Sequence, residues 1–221
     1  MTELRTAEDR LRAEYFELIP DMQRTLIALE ANVRHYLLPV MIGLKRYEQV
    51  RIAARLKKCE SAVDSLRRRQ EGRVFDPGSL EAYSLSNLRD LVAVRVLVFP
   101  SDLREKVHTA LLPLLSDWTS DPVPGIEAGD APVARKYHGR CRSASTTLTA
   151  ELQVVSSLIG SYWEVEHSAL YKTSPNLQGV LRSPSMKARQ RAVLSALSAF
   201  EIEFERLIRE APKIESLQDI D

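Results

Sequence analysis

Two side chains with a chemical use lie two positions apart in a segment that reads as a β-strand. Residues 146–155 alternate apolar and polar side chains, which predicts a strand with one buried face. That apolar face is formed by Leu148, Leu152 and Val154. Glu151 and Gln153 then lie on the opposite face. Because a positioned carboxylate can accept a proton or bind a divalent cation, Glu151 is the first candidate for a catalytic residue.

A helix is predicted directly after this strand. From Ser156 onwards the spacing of apolar and aromatic residues changes from two to three and four, and either Ser156 or Ser157 could be the N-cap. The helix contains the run Trp163-Glu164-Val165-Glu166-His167 and ends at Tyr171-Lys172. The sequence therefore places a strand carboxylate just before a helix that is rich in polar and aromatic side chains.

Composition limits the classes of protein that need to be considered. The chain has 221 residues and a formal net charge of +1, which suits one globular core and argues against bulk electrostatic binding of nucleic acid. Basic residues are nevertheless concentrated within 51–73 and 135–142, and such local patches suit a polyphosphate ligand. The two cysteines lack metal-site spacing, and neither a signal peptide nor a membrane-spanning run is found, so a cytoplasmic protein without a membrane partner is expected.

Basic residues also lie where a predicted strand meets a predicted helix. Residues 50–57 read as a short strand and residues 61–69 as a helix that begins near Cys59. Arg55 and Lys57 lie near the junction. The sequence has no Gly-rich phosphate loop, so phosphates would have to be held by side chains such as an arginine fork beside a lysine.

The strongest strand in the sequence is 91–99, a valine-rich run that is typical of a strand buried on both faces. Asp90 precedes this strand and Arg95 interrupts it. A helix is predicted from Pro100 to Leu115, and residues 117–134 read as a long loop. With Glu151 on another strand, Asp90 could complete a pair of carboxylates around Mg²⁺.

Amphipathic helices are predicted at both ends of the chain. Residues 5–38 have helical spacing that is interrupted at Pro20, where Asp21 could cap a second segment. Residues 185–210 form a last helix whose apolar stripe would pack on the sheet or on another subunit. Both helices are candidates for a homo-oligomeric contact, and no chemistry is predicted before residue 50.

Three of these segments, in this order, resemble the synthetase domain of the RelA/SpoT family. They are Arg55-Leu56-Lys57-Lys58-Cys59-Glu60-Ser61, the pair Asp90 and Arg95, and Glu151-Leu152-Gln153 with the helix that follows. The resemblance runs from about residue 50 to 172. It implies an α/β fold with a mixed sheet of the RelA/SpoT nucleotidyltransferase-like type flanked by helices. The expected division is an N-terminal helical extension (1–45), the synthetase-like domain (46–175) and a C-terminal helix (176–221).

The resemblance also implies an activity, which is transfer of pyrophosphate from ATP to the 3′-hydroxyl of GDP or GTP. Its site residues fall into three groups. The ATP-binding group is Arg55, Lys57, Lys58, Ser61 and Arg95. The catalytic residues, which would also hold Mg²⁺, are Asp90 and Glu151. The acceptor-binding group is Lys136, Tyr137, Arg140, Gln153 and His167, with Tyr137 stacking on the guanine or packing as a core aromatic.

The sequence departs from the family pattern at four places. Ala93 replaces a glycine, Arg135-Lys136 replaces Asn-Gly, Cys141 replaces a histidine and Val155 replaces an arginine. Two alternatives therefore stay open beside the alarmone synthetase. One is a toxin of the same family that pyrophosphorylates the 3′ end of tRNA, and the other is a nucleotide-binding regulatory module that has lost turnover.

Overall fold

The computed structural model describes residues 6–70, 72, 74–76, 81–123, 133–143, 145–166, 168–169 and 183–218. Along these residues the chain alternates helices and strands, with a short 3-10 turn at Leu85–Asn87. The elements are α1 (Ala7–Ile42), β1 (Gln49–Leu56), α2 (Cys59–Arg67), β2 (Val92–Phe99), α3 (Leu103–Leu111), β3 (Thr119–Val123), β4 (Ala134–Arg142), β5 (Thr147–Ser156), α4 (Ser157–Glu166) and α5 (Pro184–Gln218).

The strands form one mixed sheet in the order β1-β2-β5-β4-β3. β2 and β5 run parallel, and every other neighbouring pair is antiparallel. All residues of β2 are buried except Arg95 and Phe99, which are partly buried. This confirms the prediction of a mixed sheet with a central strand that is covered on both faces.

One face of the sheet packs against α1 and α3 to form the main core. α1 contributes a stripe of fully or nearly fully buried side chains at helical spacing, and β2 and β5 contribute their valines and leucines from the facing positions. The stripe of α1 consists of Leu11, Met22, Leu29, Val33 and Leu37. The predicted boundary at residue 45 falls between α1 and β1, but the core of α1 is continuous with that of the sheet.

The prediction that α1 is interrupted at Pro20 is wrong. The helix continues through Pro20, which is exposed, so the Phe16 carbonyl that loses its helical hydrogen bond lies on the solvent side. Asp21 does not cap a second helix. Its carboxylate accepts hydrogen bonds from the hydroxyl groups of Ser143 and Ser145 and so binds α1 to the turn between β4 and β5.

Among the residues that the structure describes, helices cover the second face of the sheet at one end only. α4 follows β5 directly, and Ser156 is its N-cap, because the Ser156 hydroxyl accepts from the backbone N–H of Ile159 at 3.2 Å. Ile159 packs on Leu97 and Val155 of the sheet. Gly160 permits this close approach, since a Cβ there would lie 2.3 Å from a methyl carbon of Leu97.

Strand β3 was not predicted, because its sequence reads as part of a loop. It is an edge strand that pairs only with β4, and an edge strand can accept a proline such as Pro122. α3 also ends four residues earlier than predicted, at Leu111.

Among the residues that the structure describes, no helix combines the length and the apolar character needed to cross a membrane.

Gly139 of β4 provides a test of this packing, because the Trp118 ring lies directly over it. A Cβ at this position would lie 2.1 Å from ring carbons of Trp118. We therefore expect Gly139→Ala to lower the free energy of unfolding by about 1–3 kcal/mol, measured by urea denaturation. Gly43→Ala is the matched control, because its Cβ would make only an ordinary contact at 3.5 Å with the Pro39 carbonyl, and its stability should not decrease. Equal stability of the Gly139 variant and the wild type would contradict the described packing.

Candidate active site

The uncovered end of the second sheet face carries a row of chemically useful side chains. In the sheet register, Arg55 of β1 is opposite Ala93 of β2, Ala93 is opposite Glu151 of β5, and Glu151 is opposite His138 of β4. Residues that are paired in register point to the same face of a sheet. The predicted alternation of β5 is therefore confirmed. Glu151 lies between β2, which carries Arg95, and β4, which carries His138.

A second row lies one pleat further along and binds the first row by hydrogen bonds. Arg95 is opposite Gln153, which is opposite Lys136. The Arg95 Nε donates to the Gln153 Oε1 at 2.9 Å, and the Gln153 Nε2 donates to the Glu151 Oε1 at 2.6 Å. Glu151 is only 8% exposed and Gln153 only 6%. The side chain of Gln153 thus fixes one carboxylate oxygen of Glu151 and one guanidinium nitrogen of Arg95.

His138 faces the other oxygen of the same carboxylate. Its Nε2 lies 3.9 Å from the Glu151 Oε2, and its Nδ1 is buried without a hydrogen-bond partner. Sequence reasoning assigned no role to His138. Strand alternation places positions 137 and 138 on opposite faces, but only the register, in which His138 is opposite Glu151, shows which of the two lies beside Glu151.

Arg95 is a partly buried cation of this face. Burial lowers the pKa of its guanidinium below the ordinary value, and the nearby charge of Arg55 lowers it further, whereas Glu164 and Glu151 act in the opposite direction. Arg55 itself is exposed at the end of β1. The two arginines repel each other in the absence of an anion, so a bound polyanion would relieve that repulsion.

Lys57 and Asp90 lie just beyond Arg55, at the ends of the loops that flank β1 and β2. The Lys57 ammonium forms a close ion pair with the Asp90 carboxylate. The backbone N–H of Lys57 donates to the Leu91 carbonyl at 2.9 Å. From α1, the Tyr15 hydroxyl donates to the Lys57 carbonyl at 2.8 Å, so both sides of the Lys57 backbone are held.

The remaining residues of the predicted phosphate segment lie at the N-terminus of α2. Lys58 is the N-cap residue and is exposed, and Ser61 is in the first turn and half-buried. Glu60 does not face the sheet, because its carboxylate binds the Arg12 guanidinium of α1 at 2.8 Å. The structure therefore brings Arg55, Lys57 and Arg95 to the open face and leaves Lys58 and Ser61 on the adjoining helix end.

Helix α4 forms the border of the open face. The Lys136 Nζ lies 5.9 Å from the centre of the Trp163 ring, within range of a cation–π interaction. Glu164, the next residue, is exposed and close enough to influence Arg95. His167, which the resemblance assigned to the acceptor-binding group, lies outside the described residues, and its role stays a prediction.

Tyr137 does not lie on the open face, which corrects the expectation that it stacks on an acceptor base. It is opposite Leu152 in register and therefore points into the main core, where it is 3% exposed. Its hydroxyl group is 2.7 Å from the His108 Nδ1, and the two rings are stacked with centroids 5.9 Å apart. Burial raises the pKa of the Tyr137 hydroxyl and lowers that of His108. Tyr137 is therefore a packed aromatic.

Two further basic residues continue the open face towards the β4–β5 turn. Arg140 and Arg142 lie two and four residues after His138 in β4, so they point to the same side of the sheet as His138. Both are exposed. The predicted acceptor residues Lys136 and Arg140 are therefore brought to the face that carries Glu151, and Arg142 extends that basic row.

The residues present can be compared with the needs of Mg²⁺. Mg²⁺ takes one or two protein carboxylates and completes its shell with water and substrate phosphates. Glu151 and Asp90 supply oxygen donors of this kind, although the structure holds Asp90 on Lys57. The described residues contain no cluster of three or more metal-ligating side chains. The donor set therefore suits a cation that is bound together with a phosphate ligand rather than by the protein alone.

Taken together, the open face offers cations for several phosphate oxygens beside a nearly buried carboxylate. Arginine and lysine side chains neutralise phosphate charge, and a carboxylate with restricted rotation can accept a proton from an alcohol. A face of this composition suits the transfer of a phosphorus-containing group to a hydroxyl.

Comparison with solved structures identifies proteins of similar fold. The small alarmone synthetase 1 from Bacillus subtilis bound to its product pppGpp superposes with a TM-score of 0.60 at 15% sequence identity, over 90% of this chain and 97% of that one. The same protein bound to AMPCPP gives a TM-score of 0.58 at 16% identity, over 90% and 98% of the two chains. A GTP pyrophosphokinase family protein from Streptococcus pneumoniae gives 0.61 at 18% identity, over 92% and 97%.

No protein-family model and no curated protein sequence matches the chain. The similarity is therefore one of fold. It extends over nearly the whole of each chain, including both terminal helices, and it confirms the fold class that the RelA/SpoT resemblance implied.

The contact between Tyr137 and His108 predicts a pH dependence of stability. Because burial lowers the pKa of folded His108 below 6.5, the unfolded chain binds a proton more readily as the pH falls through that value. The free energy of unfolding should therefore decrease as the pH falls below about 6.5. His108→Phe, which keeps a ring beside Tyr137, should show a smaller decrease in urea titrations at pH 7.5 and pH 5.5 (roughly one unit on each side of this pKa).

His35→Gln is the control, since it removes an exposed histidine of α1, and it should keep the pH dependence of the wild type. If the His108 variant loses stability with falling pH as steeply as the wild type does, His108 is not the group responsible.

Proposed function

We propose that the protein is an ATP-dependent pyrophosphotransferase that modifies the 3′-hydroxyl of GDP or GTP. The 3′ oxygen attacks the β-phosphorus of ATP, the bond between that phosphorus and its bridging oxygen to the α-phosphate breaks, and AMP leaves. The transferred pyrophosphate group consists of the β- and γ-phosphates of ATP, and it becomes bonded to the acceptor through the 3′ oxygen. The proton of the hydroxyl passes to a base.

The observation that carries this proposal is the placement of Glu151. Its carboxylate is nearly buried on the open face of the sheet, with one oxygen fixed by Gln153 and the other facing His138. A buried carboxylate is costly unless it is hydrogen-bonded, so a site that keeps one on an otherwise basic face has a use for it. Glu151 is proposed as the base that accepts the hydroxyl proton.

The cations of the face are proposed as the phosphate-binding groups. Arg55 and Arg95 lie on adjacent strands and would contact phosphate oxygens of ATP, and Lys57 lies beside them at the end of β1. Mg²⁺, when bound by Asp90, Glu151 and the phosphates, would neutralise charge on the transferred group. Catalysis of phosphoryl-type transfer consists mostly of such positioning and neutralisation. The fold shared with the small alarmone synthetases supports the same reaction class.

The first experiment is transfer of label from [γ-³²P]ATP to GDP or GTP in the presence of Mg²⁺. We expect labelled product with the wild type and a rate at least about 100-fold lower with Glu151→Gln, because the variant has no base at this position. Asp90→Asn should also lower the rate and should raise the Mg²⁺ concentration needed for half-maximal rate by about 10-fold. Glu203→Gln on α5 is the control, since Glu203 is exposed and pairs with Arg206 of the same helix.

Two results would contradict the proposal. If ATP binds but no acceptor is labelled, the protein is a nucleotide-binding regulatory module that shares the fold. If label is transferred at the wild-type rate by Glu151→Gln, another group is the base.

A second acceptor is favoured by one observation, the row of exposed cations on β4. Arg142 extends the basic face beyond Arg140, the last of the residues predicted to bind a mononucleotide acceptor. A longer polyanion, such as the 3′ end of a tRNA, could bind along that row. RNA binding of this kind depends strongly on salt, because counterions are released from the phosphates.

The variant Arg142→Ser separates the two acceptors. With GDP or GTP as the acceptor, its transfer rate should remain within about 2-fold of the wild type, because Arg142 lies beyond the residues proposed to bind a mononucleotide. With bulk tRNA as the acceptor, label on tRNA should fall by about 10-fold, and the slope of log affinity against log salt should decrease by about 1. Arg34→Ser, which removes an exposed arginine of α1, is the control. Labelling of tRNA alone would replace the guanine-nucleotide proposal.

A further inference from the structure

The burial of Tyr137 in the main core leaves the acceptor side of the open face without the aromatic ring that sequence reasoning assigned to a base. Proteins bind a purine base by stacking it on an aromatic side chain and by hydrogen bonds to its edges. An aromatic ring that borders the open face beside a predicted acceptor-binding residue is therefore a candidate for this role. Trp163 of α4 is such a ring.

Trp163 is held on the sheet without being fully covered. Its indole packs against a cluster of buried apolar side chains from the sheet and α4, and it remains half-buried. A ring that is already fixed by packing loses little conformational freedom when a base stacks on it, which lowers the entropic cost of binding. The cluster consists of Leu97, Val133, Ala134, Val155 and Ile159.

The contact with Lys136 shows which side of Glu151 the ring borders. The Lys136 Nζ lies 5.9 Å from the centre of the Trp163 ring, and Lys136 is on β4. The proposed phosphate-binding residues Arg55 and Arg95 are on β1 and β2, on the other side of β5. Trp163 and Lys136 therefore meet on the side of the open face that is left for the acceptor.

The spacing along the strands suits a nucleoside. Lys136 is opposite Gln153, which is two residues from Glu151 in β5, so this pair lies about 7 Å along the sheet from Glu151. A ribose with its 3′-hydroxyl at Glu151 can therefore place its base over Lys136 and against the Trp163 ring.

The Lys136 ammonium adds a preference between purines. Guanine presents two acceptors, O6 and N7, on the edge where adenine presents N7 beside an amino group that is itself a donor. An ammonium can only donate, so it matches the guanine edge better. No ion pair joins Lys136 to another of the residues that the structure describes, so its ammonium is available to a ligand.

We propose that the guanine base of the acceptor stacks on the Trp163 indole and that the Lys136 ammonium donates to its O6 and N7 atoms. The lysine side chain is flexible, so the ammonium can move from the ring to the edge of the base. This role depends on the proposed function for the identity of the acceptor, but the binding itself needs no turnover.

The first experiment is a titration of intrinsic fluorescence with GDP in the presence of Mg²⁺. The chain has two tryptophans, and Trp118 lies over Gly139 on the main-core side of the sheet, away from the open face. GDP should quench the fluorescence of the wild type and of the control Trp118→Phe, because the base contacts the Trp163 indole. Trp163→Phe should lose the quenching.

Replacement of the ring separates stacking from packing. Trp163→Leu should raise the dissociation constant for labelled GDP, measured by equilibrium dialysis, by about 10- to 100-fold. Trp163→Phe keeps an aromatic ring and should bind GDP within about 5-fold of the wild type. In the transfer reaction, Trp163→Leu should raise the KM for GDP and leave the KM for ATP within about 2-fold, whereas a loss of packing alone would affect both substrates.

Lys136→Met tests the preference for guanine. In the fluorescence titration, the ratio of the dissociation constants for ADP and GDP should fall by about 10-fold, because the variant has no donor for O6. Lys45→Met is the matched control. The Lys45 ammonium also lies 5.9 Å from an aromatic ring, that of Tyr47, but the two residues are in the segment between α1 and β1.

Four outcomes would overturn the proposal. Absence of quenching in the wild type, or quenching that persists in Trp163→Phe, would show that no base stacks on this ring. Quenching by a non-hydrolysable ATP analogue but not by GDP would assign the ring to the base of the donor. Unchanged GDP affinity in Trp163→Leu would leave the tryptophan a packing residue, and an unchanged ratio in Lys136→Met would remove the lysine from base recognition.

Failure of the proposed reaction would look different. If GDP quenches Trp163 but no acceptor is labelled, the base site stands and the transfer does not. If label passes to GDP with an unchanged KM in Trp163→Leu, the reaction stands and the role of Trp163 is wrong.

Discussion

The alternation of β5 is the constraint on which the rest of the molecule depends. One side of this strand buries Leu148, Leu152 and Val154 in the main core, and the other side must hold Glu151 and Gln153 almost out of solvent. An ionised carboxylate in such a place is stable only with hydrogen-bond donors or cations beside it. β2 supplies Arg95 from one side and β4 supplies His138 from the other, so the flanking strands are as necessary to the site as β5 itself.

Helix α1 connects the site to parts of the chain that are distant in sequence. Its apolar stripe is buried against the sheet, while polar groups on its flanks reach three separate segments. Tyr15 binds the Lys57 backbone, Arg12 binds Glu60 at the start of α2, and Asp21 binds the β4–β5 turn. The positions of the proposed phosphate-binding segment and of the hairpin that carries His138 therefore both depend on one helix.

Helices α4 and α5 divide the second sheet face into a covered end and an open end. α4 packs closely through Ile159 and Gly160, and Glu201 of α5 contacts the start of α4 at Ser156 and Leu158. Burial raises the pKa of the Glu201 carboxyl, with Arg104 of α3 acting against that shift. α4 in turn borders the open face, where the Trp163 ring lies near the Lys136 ammonium.

The sequence by itself determined the features that depend on local pattern. The buried run of β2, the two faces of β5 and a serine cap at Ser156 or Ser157 were all predicted, because strand alternation and helix capping are properties of neighbouring residues. The RelA/SpoT resemblance added the fold class, which the solved structures of similar fold confirm.

Only the tertiary structure decided which side chains meet. Pro20 remains within one helix, and β3 forms from a loop-like sequence because β4 is available as its partner. The placement of Tyr137 and His138 depended on the register of the β4–β5 hairpin. Since a shift of one residue moves every side chain of a strand to the other face, the sequence could not say which of these two neighbours enters the core and which faces Glu151.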